Sequence, residues 1–324
     1  MSDQPSRTMR IAPLQTSDLP AMQSLFRQAF GGEMSEALHQ WKYANGHGIG
    51  MGVWNEAGEL IAHYGGLARS VLDAGQRRES VQIGDVMVAQ AGRASLSRKG
   101  PFFLAASQFI DSYVGFGKQF IHGFGFPNQR AMTVADRLGL YKPVGKVVEL
   151  EWESAGAALP WWLSLSPLHD PAQHAGALRR LWAAMAEDLR ADIVGIRDLE
   201  RLRYRYFEHP DQPYHCALLR HRLGGRAIGL VVLRHHGEHS EWLDLVAAKR
   251  HWASCALAAR QLAAAAGARH LRMWVSESHQ QLFPTPLASR DIDVIIPANN
   301  WSDGPSPDEQ RNRWFLLGGD TDFR

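Results

Sequence analysis

The densest chemistry in this sequence lies between residues 86 and 103. Val86-Met87-Val88 reads as the end of a strand, a polar tract with Arg93, Arg98 and Lys99 follows, and an apolar helix opens at Gly100-Pro101-Phe102-Phe103. The first turn of a helix leaves backbone N–H groups without partners at the positive end of its dipole, which suits an anion. Three cations strengthen that site, and glycine at 100 lets the backbone approach a phosphate closely. Pro101 costs little there, because its missing N–H has no helical partner to lose. A basic loop is also what a solvated surface carries, but placement between a strand and a helix favours binding of a pyrophosphate-like group. Two other motifs read differently. His235-His236-Gly237-Glu238-His239 lacks the HExxH spacing and falls between two strands, so it is a hairpin turn and not a metal site. The alternating glycines Gly46, Gly48, Gly50 and Gly52 precede a strand instead of joining a strand to a helix, so they do not form a dinucleotide fingerprint and read as a loop that hugs an acceptor. No G-x-S-x-G elbow or P-loop occurs.

The elements that must position these residues follow a clear order. A strand over 9–14 is followed by a helix carrying Leu19, Met22, Leu25, Phe26 and Phe30, then by a short helix over 35–43. Strands at 53–54, 60–69 and 81–88 are linked by turns at Glu56-Ala57-Gly58 and Asp73-Ala74-Gly75. A helix over 101–113, a strand over 119–124, a helix over 130–138 and a strand over 144–152 complete the first half. An apolar linker over 159–168 leads to helices over 172–189 and 198–207, strands over 214–219, 227–233 and 242–246, a helix over 252–266 and a strand over 271–275. The halves share a coarse order without a residue-level repeat.

At 324 residues, 45% of them hydrophobic and 21% charged, the chain is expected to build two globular domains, 1–152 and 153–324. A formal charge of +2 argues against a nucleic-acid surface. Cys216 and Cys255 lack a CxxC partner, which fits a reducing cytoplasm. Met1–Thr8 has no apolar signal core, and no apolar run approaches the roughly 20 residues of a membrane span.

The strand and helix with Arg10-Ile11-Ala12-Pro13-Leu14, Asp18 and Ala29-Phe30 resemble the start of the GNAT (Gcn5-related N-acetyltransferase) fold. The tract from Gly84-Asp85-Val86-Met87-Val88 through Arg93 to Phe103 resembles that family's motif A, with a longer loop in which Gly100 stands alone. Gly125-Phe126-Pro127-Asn128 and Arg137-Leu138-Gly139-Leu140-Tyr141 are similar to its motif B. The resemblance covers residues 9–152. More weakly, 201–214 looks like the entry to a second such fold, as in tandem GNAT proteins. It implies two GNAT-like α/β (α+β) domains, each a mixed, mostly antiparallel sheet flanked by helices.

By the same resemblance, acetyl-CoA or another acyl-CoA is the co-substrate. It is held by Met87, Val88, Arg93, Arg98, Lys99, Gly100, Pro101, Phe102 and Asn128, with the thioester oxygen facing an amide near Met87 to Ala89. Asp85 or His122 is the candidate base, although a strand aspartate equally suits a buried ion pair. The tyrosine acid usual in this family falls at Ala135, which leaves Tyr141, equally a packing residue, as the candidate acid. The second domain has no glycine over 247–254 and reads as structural or acceptor-binding. The acceptor implied is a small amine, an amino sugar or a peptide. Trp161 and Trp162 suit either a binding cleft or packing. A non-catalytic acyl-CoA or protein binder and an aminoacyl-tRNA-dependent transferase are the alternatives.

Overall fold

The computed structural model describes residues 9–90 and 97–324, so Arg93 lies outside the described residues. The chain divides into two compact units. The first comprises Met1–Arg69, Glu79–Val144 and Pro297–Glu309, and the second Ser70–Arg78, Gly145–Ile296 and Gln310–Arg324. Composition suggests a cut after residue 152, whereas the change of unit at Val144 falls within a strand that continues to Glu153.

The first unit runs through β1 (Arg10–Pro13), α1 (Leu19–Phe30), α2 (Glu36–Tyr43), β2 (Gly48–Trp54), β3 (Leu60–Asp73), β4 (Gln76–Val88), α3 (Pro101–Tyr113), β5 (His122–Gly125), α4 (Gln129–Arg137) and the start of β6 (Tyr141–Glu153). Its sheet has the order β1-β2-β3-β4-β5. β1–β2 and β2–β3 are antiparallel, whereas β4–β5 is parallel, with α3 as the crossover that a parallel pair requires. Local chemistry sets these boundaries. Gly31 ends α1 at a φ of 73°, and the Ser35 hydroxyl caps α2 by accepting the Leu38 N–H. Ala74 and Gly75, with φ of 48° and 76°, make the tight turn from β3 to β4. One face of α1 buries Met22 and Leu25 against Trp54, Leu60 and Met87. On α3, Phe109 and Ile110 are fully buried, a contribution of about 1.5–3 kcal/mol each. The glycine tract read from the sequence as a loop is strand from Gly48 onward.

The second unit adds β7 (Leu163–Pro167), α5 (Ala175–Asp188), β8 (Ile193–Gly195), α6 (Leu199–Leu202), β9 (His215–His221), β10 (Ala227–His236), β11 (His239–Val246), α7 (Trp252–Ala265), β12 (His270–Ser276) and most of β13 (Ala288–Asn299); α8 (Pro307–Gln310) and β14 (Trp314–Phe315) follow. Its sheet has the order β13-β6-β12-β11-β10-β9-β7. β11 and β12 are parallel across α7, so the strand–helix–strand crossover of the first unit occurs a second time. The segment read as a linker contains β7, and the histidine-rich motif is the hairpin turn expected, with His236 paired to His239. Buried Arg197 is held by Asp244 at 2.8 Å and Asp320 at 2.7 Å. Both units are therefore mixed, mostly antiparallel sheets flanked by helices. Among the described residues no helix is long and apolar enough to cross a membrane.

Candidate active site

β4 and β5 pair only from Ser80↔His122 to Ile83↔Gly125, after which β5 ends and β4 continues to Val88. The parting begins at Asp85, whose φ of 48° is left-handed, a conformation that aspartate tolerates better than most side chains. Beyond it the Ala89 N–H donates to the Ile61 carbonyl on β3 at 2.8 Å, which commits that amide of the expected stretch. The Met87 side chain is buried against α1. α3 then opens at Gly100, an extended N-cap with no side-chain cap, with Pro101 as its first residue. An opened strand and an uncapped thirteen-residue helix thus belong to one crossover.

The other cofactor-side residues have local work. The Arg98 guanidinium donates to the Leu138 carbonyl at 3.3 Å and lies over the Phe103 and Trp301 rings. Lys99 is exposed beside it, and Phe102 is half-buried with its ring 6.3 Å from that of Tyr64. Asn128 is the N-cap of α4, its Oδ1 accepting the Ala131 N–H at 2.9 Å.

The three expected catalytic residues are not brought together. Asp85 is buried, bonded by the Lys42 ammonium at 2.9 and 3.1 Å and by the Tyr43 hydroxyl at 2.8 Å. Its carboxylate is therefore committed to α2, as one half of the buried ion pair that a strand aspartate suits. His122 is buried level with Ser80, five residues back along β4 from Asp85, roughly 16 Å at about 3.3 Å per residue. Tyr141 receives the Tyr64 hydroxyl at 2.9 Å, and burial pushes its own hydroxyl well above the usual tyrosine range, away from duty as an acid near neutrality. Tyr64 and His63 are successive residues of β3 and point to opposite faces, so Tyr141 lies across the sheet from the Asp85 cluster. Trp161 and Trp162 are exposed on the second unit.

The sequence reading missed His63. Its Nδ1 lies 2.7 Å from the Asp85 carbonyl oxygen. A carbonyl only accepts, so Nδ1 carries the hydrogen and Nε2 keeps a lone pair. Nε2 is buried and has no hydrogen-bond partner among the described residues. Burial lowers the imidazole pKa, followed by opposing contributions from the Asp85 carbonyl and carboxylate and further lowering by Lys42 and His39, so the ring is neutral. Glycines make room for it: a Cβ on Gly50 would stand 2.5 Å from Nε2, and one on Gly65 2.7 Å from Cε1. Gly48 does the same for Tyr43, whose Cδ1 lies 2.7 Å from where a Cβ would be. Beyond the end of β1 these residues border a cavity of about 300 Å³, lined by Gln15, His39, Tyr43, Gly50, His63 and Tyr113 among others. The available signal was a histidine within a strand facing a run of alternate glycines.

No protein-family model matches the chain, and no curated protein does. Solved structures do. A protein of unknown function from Enterococcus faecalis, described as a probable N-acyltransferase, is 15% identical with a TM-score of 0.68 over 91% of this chain and 73% of its own. A GCN5-related N-acetyltransferase from Kribbella flavida is 16% identical, with a TM-score of 0.65 over 92% and 72%. The N-myristoyltransferase of Saccharomyces cerevisiae, solved with myristoyl-CoA, is 12% identical with a TM-score of 0.55 over 96% and 84%. These likenesses span more than nine-tenths of the chain, which therefore has the fold of the GCN5-related N-acetyltransferases.

Proposed function

We propose that the chain is an N-acyltransferase that moves an acyl group from acyl-CoA to an amine, with the acyl-CoA held by the first unit. The observation that carries this reading is the β4–α3–β5 crossover, in which the strands part at Asp85 and α3 begins uncapped at Gly100. The helix start, with Lys99 and Arg98 nearby, would take the pyrophosphate. The open length of β4 at Met87 and Val88 would lie along the thioester, and Asn128 along the pantetheine arm. The amine nitrogen attacks the thioester carbon, the carbon–sulfur bond breaks, and the amine loses a proton while the departing thiolate gains one. An amide and free CoA thiol result. The second unit is read as having no acyl-CoA site, because its corresponding turn has no glycine and the Asp188 carboxylate already accepts the Lys249 N–H there at 2.7 Å.

Acetyl-CoA binding by calorimetry and thiol release with a panel of amines test the proposal. Gly100→Asp sharpens it. The N-cap backbone is extended, at φ −78° and ψ 153°, a conformation aspartate adopts without strain and from which it can cap α3, while its charge opposes a phosphate. Unchanged or raised melting temperature with at least about tenfold weaker acetyl-CoA binding is expected, tenfold being 1.4 kcal/mol. Unaltered affinity refutes the site.

A further inference from the structure

Resting on the acyl-transfer reading above, we propose that His63 Nε2 is the general base and that the adjoining cavity takes a flat, weakly basic amine of the arylamine class. Three observations converge on Nε2. It is a buried acceptor with no partner among the described residues, the Nδ1 contact to the Asp85 carbonyl fixes its tautomer, and the ring, whose tip fills the place a Cβ on Gly50 would take, borders the cavity. That contact also ties the imidazole to the residue at which β4 leaves β5, two residues before the stretch proposed for the thioester.

The cavity defines the acceptor. Its volume of about 300 Å³ suits a single ring and its substituents, and Tyr43, His39 and Tyr113 supply aromatic faces. The His39 and Tyr43 rings stack at 5.1 Å. Among the described residues that line it there is no Asp, Glu, Lys or Arg. The nearest carboxylate, Asp85, is engaged by Lys42 and Tyr43. An alkylammonium entering this space would be desolvated with no counter-charge, whereas an arylamine enters neutral. The groups facing His63 are Asp85 from β4 and Lys42, Tyr43 and His39 from α2; with burial the largest influence, they leave a base weaker than free imidazole. Such a base cannot strip an alkylammonium efficiently. It is matched to a nitrogen that is already neutral and becomes acidic as its bond to carbon forms. In the step, nitrogen adds to the thioester carbon, His63 Nε2 accepts the N–H proton, the carbon–sulfur bond breaks and the thiolate is protonated. The proton on Nε2 then returns to solvent.

The test compares 4-methoxyaniline with benzylamine, amines of similar size and different basicity, in thiol release from acetyl-CoA by the full chain. His63→Asn keeps a donor for the Asp85 carbonyl and removes Nε2; Gly50→Ala keeps the imidazole and sets a methyl group against it. The expected result is turnover of 4-methoxyaniline at least about a hundredfold above benzylamine, with an acidic limb in kcat below the usual histidine value. Each variant lowers kcat by about 10²–10⁴-fold, and His63→Asn abolishes the limb. Preference for benzylamine, an unchanged kcat or a limb that persists in His63→Asn overturns the proposal and leaves the acyl-transfer reading standing. So does acetyl-CoA binding without turnover of either amine. Failure to bind acetyl-CoA removes the acyl-transfer reading and this proposal with it.

Discussion

The Lys42–Asp85 pair allows a quantitative test of how the site is held. Its side chains are only 5% and 8% exposed, and the closest approach is 2.9 Å. Removing one member of a buried pair leaves an uncompensated charge, a loss of about 3–5 kcal/mol. Lys42→Met keeps the packed methylenes, and the Tyr43 hydroxyl still donates to Asp85 at 2.8 Å. That remaining bond to a charged group retains about 1.5–3 kcal/mol, so the loss belongs at the lower end, about 3 kcal/mol. Asp85→Asn is the cleaner partner, because asparagine tolerates the φ of 48° that the position demands. Its expected loss is smaller, about 2 kcal/mol, since a buried lysine can shed its proton. In the double variant neither charge is stranded, so a cycle in urea unfolding gives a coupling of about 2 kcal/mol, beyond the 0.5 kcal/mol scatter of independent sites. Hydrogen exchange over residues 79–90 should report the same ordering. Additivity within about 0.5 kcal/mol would refute the reasoning and reduce the contact to the standing of a surface pair.

Two further outcomes follow from separate features. Gly65→Ala places a Cβ 2.7 Å from the Tyr43 hydroxyl and 2.9 Å from the Gly84 carbonyl, so it should cost about 1–3 kcal/mol in urea unfolding; a neutral result would mean that the seat under His63 is loose. In the second unit, hydrogen bonds from Arg290 and then Arg272 hold Glu151 down at about 2. That lies below an unfolded value of about 4.3, so its contribution is complete above about pH 4.3 and is lost as pH falls toward 2. Glu151→Gln should therefore melt lower than the parent at pH 7, with the two curves converging near pH 2; parallel curves would discount the pair.

The parts legible in the sequence are those with strong local signals. α3 occupies Pro101–Tyr113 as expected, because Gly100-Pro101 marks its start and an unbroken apolar face follows. β2 reads as a loop because Gly48, Gly50 and Gly52 erase one half of its alternation, and only the opposing β3 shows that the bare half is occupied. β7 was hidden by its short length, and β13 by Arg290, Asp291 and Asp293, which break any apolar pattern. Of the site, Asp85 stood out as an acid on a strand, but its partner is on α2, 43 residues away, and such a pairing has no local trace. His63 was passed over for the same reason: its standing comes from a carbonyl on β4 and a missing side chain on β2.

The glycine alternation of β2 bears on folding as well. Ile49, Met51 and Val53 alternate with Gly48, Gly50 and Gly52, and Tyr43, His63 and the Trp54 ring fill the places where those glycines would have carried a Cβ. A one-residue slip of β2 against β3 would drive bulky side chains into the places held by the Tyr43 and His63 rings and empty the opposite face. A strand of mixed small residues would tolerate such a slip, whereas this one has a single register in which both faces are filled. The tract that carries so little packing of its own thus acts as a proofreading element in the assembly of the sheet.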